Sequence, residues 1–141
     1  MSRIFLDTNL FVYLFEDEGQ RGKRATEIFN EISLRGDEVL TSTMTLGELL
    51  VKPIEANDMA LADRYRRVFR GPTVKMISFD EAASEKYARI RRDRAIKAPD
   101  VIQLATAAAA GCELFITNDD RLTRLRVSGI HFISSMERAP V

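Results

Sequence analysis

The chain has 141 residues, 45% of them apolar and 30% charged, which suits one globular domain with its own core and excludes a disordered chain. Its 21 basic and 21 acidic side chains cancel, so bulk attraction to nucleic acid or membrane is excluded and any polyanion must be held by a local basic patch. A single cysteine, Cys112, excludes an internal disulfide, and no apolar run is long enough to span a bilayer. The expectation is a cytoplasmic protein with no signal peptide, no membrane partner and Cys112 as a buried structural thiol.

The chain begins with a buried strand, Arg3-Ile4-Phe5-Leu6, that ends abruptly in Asp7-Thr8-Asn9. A second apolar run, Leu10 to Phe15, turns it directly into a helix, closed by the charged turn Glu16-Asp17-Glu18-Gly19. One reading makes Asp7, Thr8 or Asn9 the helix cap. The other places Asp7 at the carboxyl edge of a parallel sheet, where α/β proteins bind ligands. From Arg21 to Leu34, Ala25, Ile28, Phe29 and Ile32 recur at helical spacing, with Gly36 near the exit. Glu38 to Ser42 predicts a second strand, and a helix from about Thr43 to Val51 ends before Pro53.

In that helix Leu46, Leu49 and Leu50 are expected to face the core, leaving Thr45, Glu48 and Lys52 on another stripe. Thr45-Leu46-Gly47-Glu48 also fits a capping box, but a start near Ser42 or Thr43 carries Glu48 past the first turn and frees it for a site. Asn57 or Asp58 can cap the next helix, packed through Leu61, Tyr65 and Val68, whose Arg64, Arg66, Arg67 and Arg70 read as a solvated face. Gly71-Pro72 ends it, Val74 to Ile77 predicts a third strand, and Ser78-Phe79-Asp80-Glu81 fits a capping box for a helix packed through Ala83, Tyr87 and Ile90. Arg89, Arg91, Arg92, Arg94 and Lys97 then cluster.

Ala98 to Gly111 is apolar almost all round and is expected to be a buried helix, with Pro99 at its first position, Asp100 in its first turn and Gly111 at its exit. Glu113 to Asp120 repeats the design of the first strand, with apolar residues running into Thr117, Asn118, Asp119 and Asp120. Asp119 or Asp120 can cap a short helix near Leu122. Ile130 to Ile133 predicts a last, edge strand, with His131 as a surface or pairing residue. Strands alternate with helices throughout, which predicts a three-layer α/β/α sandwich with a mostly parallel sheet, residues 1–141 forming one domain.

Asp7 and Asp119 fall at strand ends, and Glu48 and Asp100 on helices entering from the same edge. Four converging carboxylates repel one another unless protons or cations compensate, and a site of oxygen donors suits hard ions such as Mg²⁺ or Mn²⁺. Ions paired in this way activate water and stabilise the leaving oxygen in phosphodiester cleavage. No Cys/His metal pattern and no phosphate-cradling glycine motif accompany them. The arginines at 89, 91, 92 and 94, with Lys97, are the first choice for contacts to a phosphate backbone.

Leu6-Asp7-Thr8-Asn9, Glu48 within Thr45 to Leu50, Pro99-Asp100 with its alanine-rich helix, and Thr117-Asn118-Asp119 together resemble the four signatures of PIN-domain nucleases. The resemblance runs in order over nearly the whole chain, and length makes it most similar to VapC toxins. It implies a Mg²⁺- or Mn²⁺-dependent ribonuclease with Asp7, Glu48, Asp100 and Asp119 as the acidic, metal-holding residues. Thr117 and Asn118 inherit a supporting role, as Thr8 and Asn9 do beside Asp7, and Asp120 competes with Asp119 for the last position. It further implies an RNA substrate, a VapB-type antitoxin partner and a homodimer. Two other readings remain: a phosphatase of the haloacid-dehalogenase type with Asp7 as nucleophile, disfavoured because Asn9 stands where that chemistry wants an acid, and a catalytically silent PIN-like module that binds protein.

Overall fold

Five strands of four or five residues alternate with helices in a computed structural model that describes residues 1–141. The strands are β1 (Arg3–Leu6), β2 (Glu38–Ser42), β3 (Val74–Ile77), β4 (Leu114–Thr117) and β5 (Phe132–Ser135). They form one sheet in the order β3-β2-β1-β4-β5, and every pairing is parallel. The helices are α1 (Thr8–Glu16), α2 (Gln20–Arg35), α3 (Thr43–Glu55), α4 (Met59–Arg70), α5 (Glu81–Ile90), α6 (Ala98–Ala110) and α7 (Asp120–Thr123).

The central strand shows why three layers form. Side chains alternate across a strand, so Ile4 and Leu6 point to one face while Phe5 points to the other. Ile4 and Leu6 join Leu10 and Phe11 of α1, Ile28 and Ile32 of α2, Leu49 of α3 and Tyr65 and Phe69 of α4 in the larger core. Phe5 stacks on Phe115 of β4, ring centroids 5.1 Å apart, in a second core closed by Leu104, Ala107 and Ala108 of α6. Cys112 lies in this second core, where burial pushes its thiol up to about 12, so it is an inert packing group. No helix is long and apolar enough to cross a membrane.

Several boundaries differ from the sequence expectation, each for a local reason. Helix α3 continues through Pro53 to Glu55, because proline in the last turn forfeits one backbone bond while its ring is buried. Asp80 rather than Ser78 caps α5, accepting from the Ala83 N–H, so Glu81 is the first helical residue and no capping box forms. Of the expected α5 contacts only Ala83 is fully buried, Tyr87 and Ile90 being half-buried. Helix α4 buries Ala62, Tyr65 and Phe69, one position round from the Leu61 and Val68 face. Pro99 is the second residue of α6, and β5 begins at Phe132, two residues later than expected. Asp58 is the α4 cap, and Thr45, off the leucine stripe of α3, is itself buried.

The α1–α2 corner is tightly closed. There Gly22 packs against the end of α1 so closely that a Cβ would lie 1.7 Å from the Asp17 carbonyl oxygen. A side chain fits only if one helix shifts, and overpacking of this kind costs roughly 1–3 kcal/mol. Gly22→Ala is therefore expected to be destabilised by at least that amount in urea unfolding monitored by circular dichroism; unchanged stability would mean the corner is loose.

Candidate active site

The direction in which strands are added reverses between β1 and β4: from β1 the sheet grows through β2 and β3 on one side, and β4 and β5 then add on the other. At such a switch point the loops beyond the strand ends diverge and leave a crevice at the carboxyl edge. Leu6 pairs with Ile116, so the next residues on each strand, Asp7 and Thr117, face each other across the switch. The Asp7 N–H donates to the Ile116 carbonyl at 3.0 Å, fixing that register.

Asp7 is both cap and pocket acid. Its Oδ1 accepts from the Thr8 N–H at 2.8 Å, and its Oδ2 accepts from the Thr117 hydroxyl at 2.8 Å. Thr117 Oγ1 in turn accepts from the Asp119 N–H at 3.1 Å, tying the two strand ends together. Asp119 caps α7 through the Arg121 N–H, and its carboxylate receives the Arg121 guanidinium at 3.0 Å from Nε and 2.7 Å from Nη2.

Glu48 lies beyond the first turn of α3, since Ser42 is the cap and accepts from the Thr45 N–H. The Thr8 hydroxyl donates to Glu48 Oε1 at 2.7 Å. Behind it stands Gln103 of α6, buried, whose amide is oriented by the Ser42 hydroxyl donating to its Oε1. Its Nε2 then donates to Thr45 Oγ1 at 2.8 Å, Thr8 Oγ1 at 3.1 Å and Glu48 Oε1 at 3.4 Å. One amide thus links α1, α3 and α6 beneath the pocket. Asp100, half-buried in the first turn of α6, supplies the remaining carboxylate.

The acids sense one another. Burial pushes the Asp7 carboxyl up to about 6; its bonds to Thr117 and Thr8 oppose this, and the charges of Asp100 and Glu48 add to it. Burial also raises Asp100, helped by the charge of Asp119 and opposed by Arg121 and Lys97. Asp119 is held below the usual carboxylate range by its bond to Arg121. The pocket therefore carries more negative charge than its own cations balance. Oxygen donors of this kind suit a hard divalent ion. As placed, no three of them form a ready ligand set, because Asp119 is turned onto Arg121 and Glu48 onto Thr8.

The expected residues separate into groups. Asp7, Glu48, Asp100 and Asp119 meet electrostatically, with Thr8 and Thr117 bonded to two of them. Asp120 is exposed on α7, and it is the Asp119 charge that is felt at Asp100. Asn118 turns to α1, donating to Tyr13 Oη at 2.8 Å, and Asn9 Oδ1 is buried with no bonding partner. Of the cations, Lys97 acts on Asp100 and Asp119. Arg91 is folded onto the Ile96 carbonyl, Arg94 is exposed, and Arg89 and Arg92 line a separate groove. Gln103, Ser42 and Arg121 were missed from the sequence. Gln103 carried a signal, being the one amide in an apolar helix and one turn beyond Asp100.

The arrangement defines a class: a parallel α/β sheet whose crossover is lined by carboxylates from two strands and two helices. The PIN domain family model matches residues 4–127, most of the chain, and the chain belongs to the PIN-domain family. Its fold is similar to a chain of VapBC2 from Rickettsia felis, bound to a DNA fragment from their promoter, with a TM-score of 0.75 at 15% identity over 94% of this chain and 98% of that one. DNA-bound VapBC from Salmonella typhimurium gives 0.69 at 22% identity over 96% and 99%. VapC20 from Mycobacterium tuberculosis, a sarcin–ricin loop cleaving toxin, gives 0.64 at 18% identity over 79% and 86%. No curated protein sequence matches the chain.

The Asp7 environment has a measurable consequence. The folded protein binds this proton more tightly than the unfolded chain, whose aspartate titrates near 3.8. The stability that the protonated form retains is therefore present at low pH and is lost as pH rises through about 6. Two pKa units correspond to on the order of 2–3 kcal/mol. In chelator-treated buffer Asp7→Asn is expected to exceed the parent by up to that amount at neutral pH, the gap closing near pH 4 by urea unfolding. A pH-independent gap would deny Asp7 its raised affinity for the proton. Gln103→Leu, which strands Ser42, Thr45 and Thr8, is expected to lose about 1–3 kcal/mol in the same assay.

Proposed function

We propose that this chain is a metal-dependent endoribonuclease, the toxin of a VapBC-type pair. The observation that supports this most directly is the electrostatic coupling of Asp7, Glu48, Asp100 and Asp119 at the β1–β4 crossover. Membership of the PIN family and the fold shared with VapBC chains and with a sarcin–ricin loop cleaving toxin support it further. Asp7 and Asp100 would hold Mg²⁺ or Mn²⁺, with Glu48 and Asp119 completing the site or orienting water. When bound, such an ion lowers the pKa of water and neutralises charge on the phosphodiester.

The chain's own residues prepare the rest. Thr117 and the Thr8 N–H fix both Asp7 oxygens, so the carboxylate meets the pocket in one orientation. Thr8 and Gln103 hold Glu48 on the opposite wall, where its carboxylate can accept a proton from an attacking water. Arg121 balances Asp119 and must give way before that acid can serve an ion. A VapB-type antitoxin, a homodimer and a cytoplasmic location belong to this reading. A catalytically silent module would share the fold without the chemistry.

Purified protein is expected to cleave single-stranded RNA in millimolar Mg²⁺ or Mn²⁺, to stop with chelator, and to lose activity in Asp7→Asn and Glu48→Gln. Metal should also raise the melting temperature of the parent and leave Asp100→Asn nearly unmoved. Cleavage that persists in chelator, or in Asp7→Asn, would defeat the metal-nuclease reading. An identical metal response in Asp100→Asn would remove that residue from the site.

A further inference from the structure

A groove of about 760 Å³ lies apart from the acidic pocket, between the end of α5 with the following turn and the segment after α7. Lys86, Arg89, Arg92 and Arg126 line it against one carboxylate, Asp93. None of the four cations is paired with an acid: Lys86 donates to the Ser128 carbonyl and Arg92 to the Arg89 carbonyl. In a chain of zero net charge this is a concentrated surplus, and its purely aliphatic floor, Ile90, Ile96, Leu125 and Val127, lowers the local dielectric and strengthens each contact.

The two walls of the groove adjoin in sequence the two segments that carry Asp100 and Asp119. On one side Ile96 is followed by Lys97 and then Asp100, and on the other Asp119 leads through Arg121 and α7 to Leu125 and Arg126. Lys97 and Arg121, the cations that act on Asp100, therefore stand along the chain between groove and pocket. We propose that this groove is a phosphate track that holds the single-stranded RNA flanking the bond to be cut. The ligand rests on the ribonuclease reading above. The track includes Lys86 and Arg126, which sequence position separates from the arginine cluster, and leaves out Arg91 and Arg94. No aromatic ring lines it, so the groove lacks a base-stacking platform and its cations favour the sugar–phosphate backbone. Recognition in the groove is accordingly indifferent to base sequence.

The test uses full-length Asp7→Asn protein and fluorescent oligouridylate and oligoadenylate, with affinity read by anisotropy over a range of salt. Arg89→Ala with Arg126→Ala, one cation from each wall, is expected to weaken both RNAs alike. It should also flatten the slope of log affinity against log salt by about 1.4, at roughly 0.7 per phosphate contact to a single strand. Arg66→Ala with Arg67→Ala, on the α4 surface, removes the same charge and should leave the slope unchanged. An unchanged slope in the groove variant, or an equal loss in both pairs, overturns the proposal. So does polyglutamate binding the parent groove more tightly than oligouridylate, which would make it a site for an acidic peptide. Cleavage by wild-type protein is scored separately: groove-dependent binding without cleavage upholds the track and defeats the nuclease reading, and cleavage without groove dependence does the reverse.

Discussion

The hydrogen bond from Thr117 to Asp7 is the interaction on which the pocket depends. It joins residues 110 apart in sequence and exists because β1 and β4 pair in parallel with Leu6 opposite Ile116. A slip of one residue would turn Asp7 away from Thr117 and would also drive Ile4 and Leu6 out of the larger core. Core packing and site geometry therefore enforce the same register. The backbone N–H of Asp119, bonded to the same hydroxyl, extends the constraint to the acid on the second strand.

Around that bond the protein places charge where it is costly and offsets it unevenly. Asp119 has a guanidinium partner, Asp100 feels two cations at a distance, and Asp7 has only a hydroxyl and a backbone N–H. The least compensated acid is also the most buried. Such an imbalance destabilises the fold relative to an uncharged pocket, and retaining it is the pattern expected where a cation or a proton is needed for work. Gln103 serves the opposite need, since one neutral amide satisfies hydroxyls from α1 and α3 without adding charge.

The fold was legible because periodicity and punctuation agreed. Phe5 between Ile4 and Leu6, Gly36 and Gly111 at helix exits in the left-handed conformation, and alternating strand and helix patterns all pointed to a parallel α/β sheet. The positions of Asp7, Asp100 and Asp119 were legible because each follows or precedes an apolar run whose end is set by burial, and that of Glu48 because α3 starts at Thr43. What was not legible depended on the third dimension. Pro53 is tolerated because its ring finds a core, and Asp80 outcompetes Ser78 as cap by geometry that four residues of sequence do not reveal. Arg89 and Arg92 sat in a visible basic cluster, whereas their companion Arg126 comes from across the β4–β5 connection and joins them only after folding.

The spacing of the Asp7–Thr117 pair also bears on when the protein can act during its own synthesis. A ribosome releases the N-terminal segment first, so Asp7 and Glu48 leave the exit tunnel well before β4 can join the sheet. Without β4 in place the central strand lacks one neighbour, Asp7 lacks its hydroxyl donor, and Asp119 is not held beside it. Contacts of such long sequence separation form late, after their loop-closure entropy has been met by the rest of the sheet. The pocket is thus assembled only once β4 has joined β1, and nascent chains that stop short of it carry the first acids without the site.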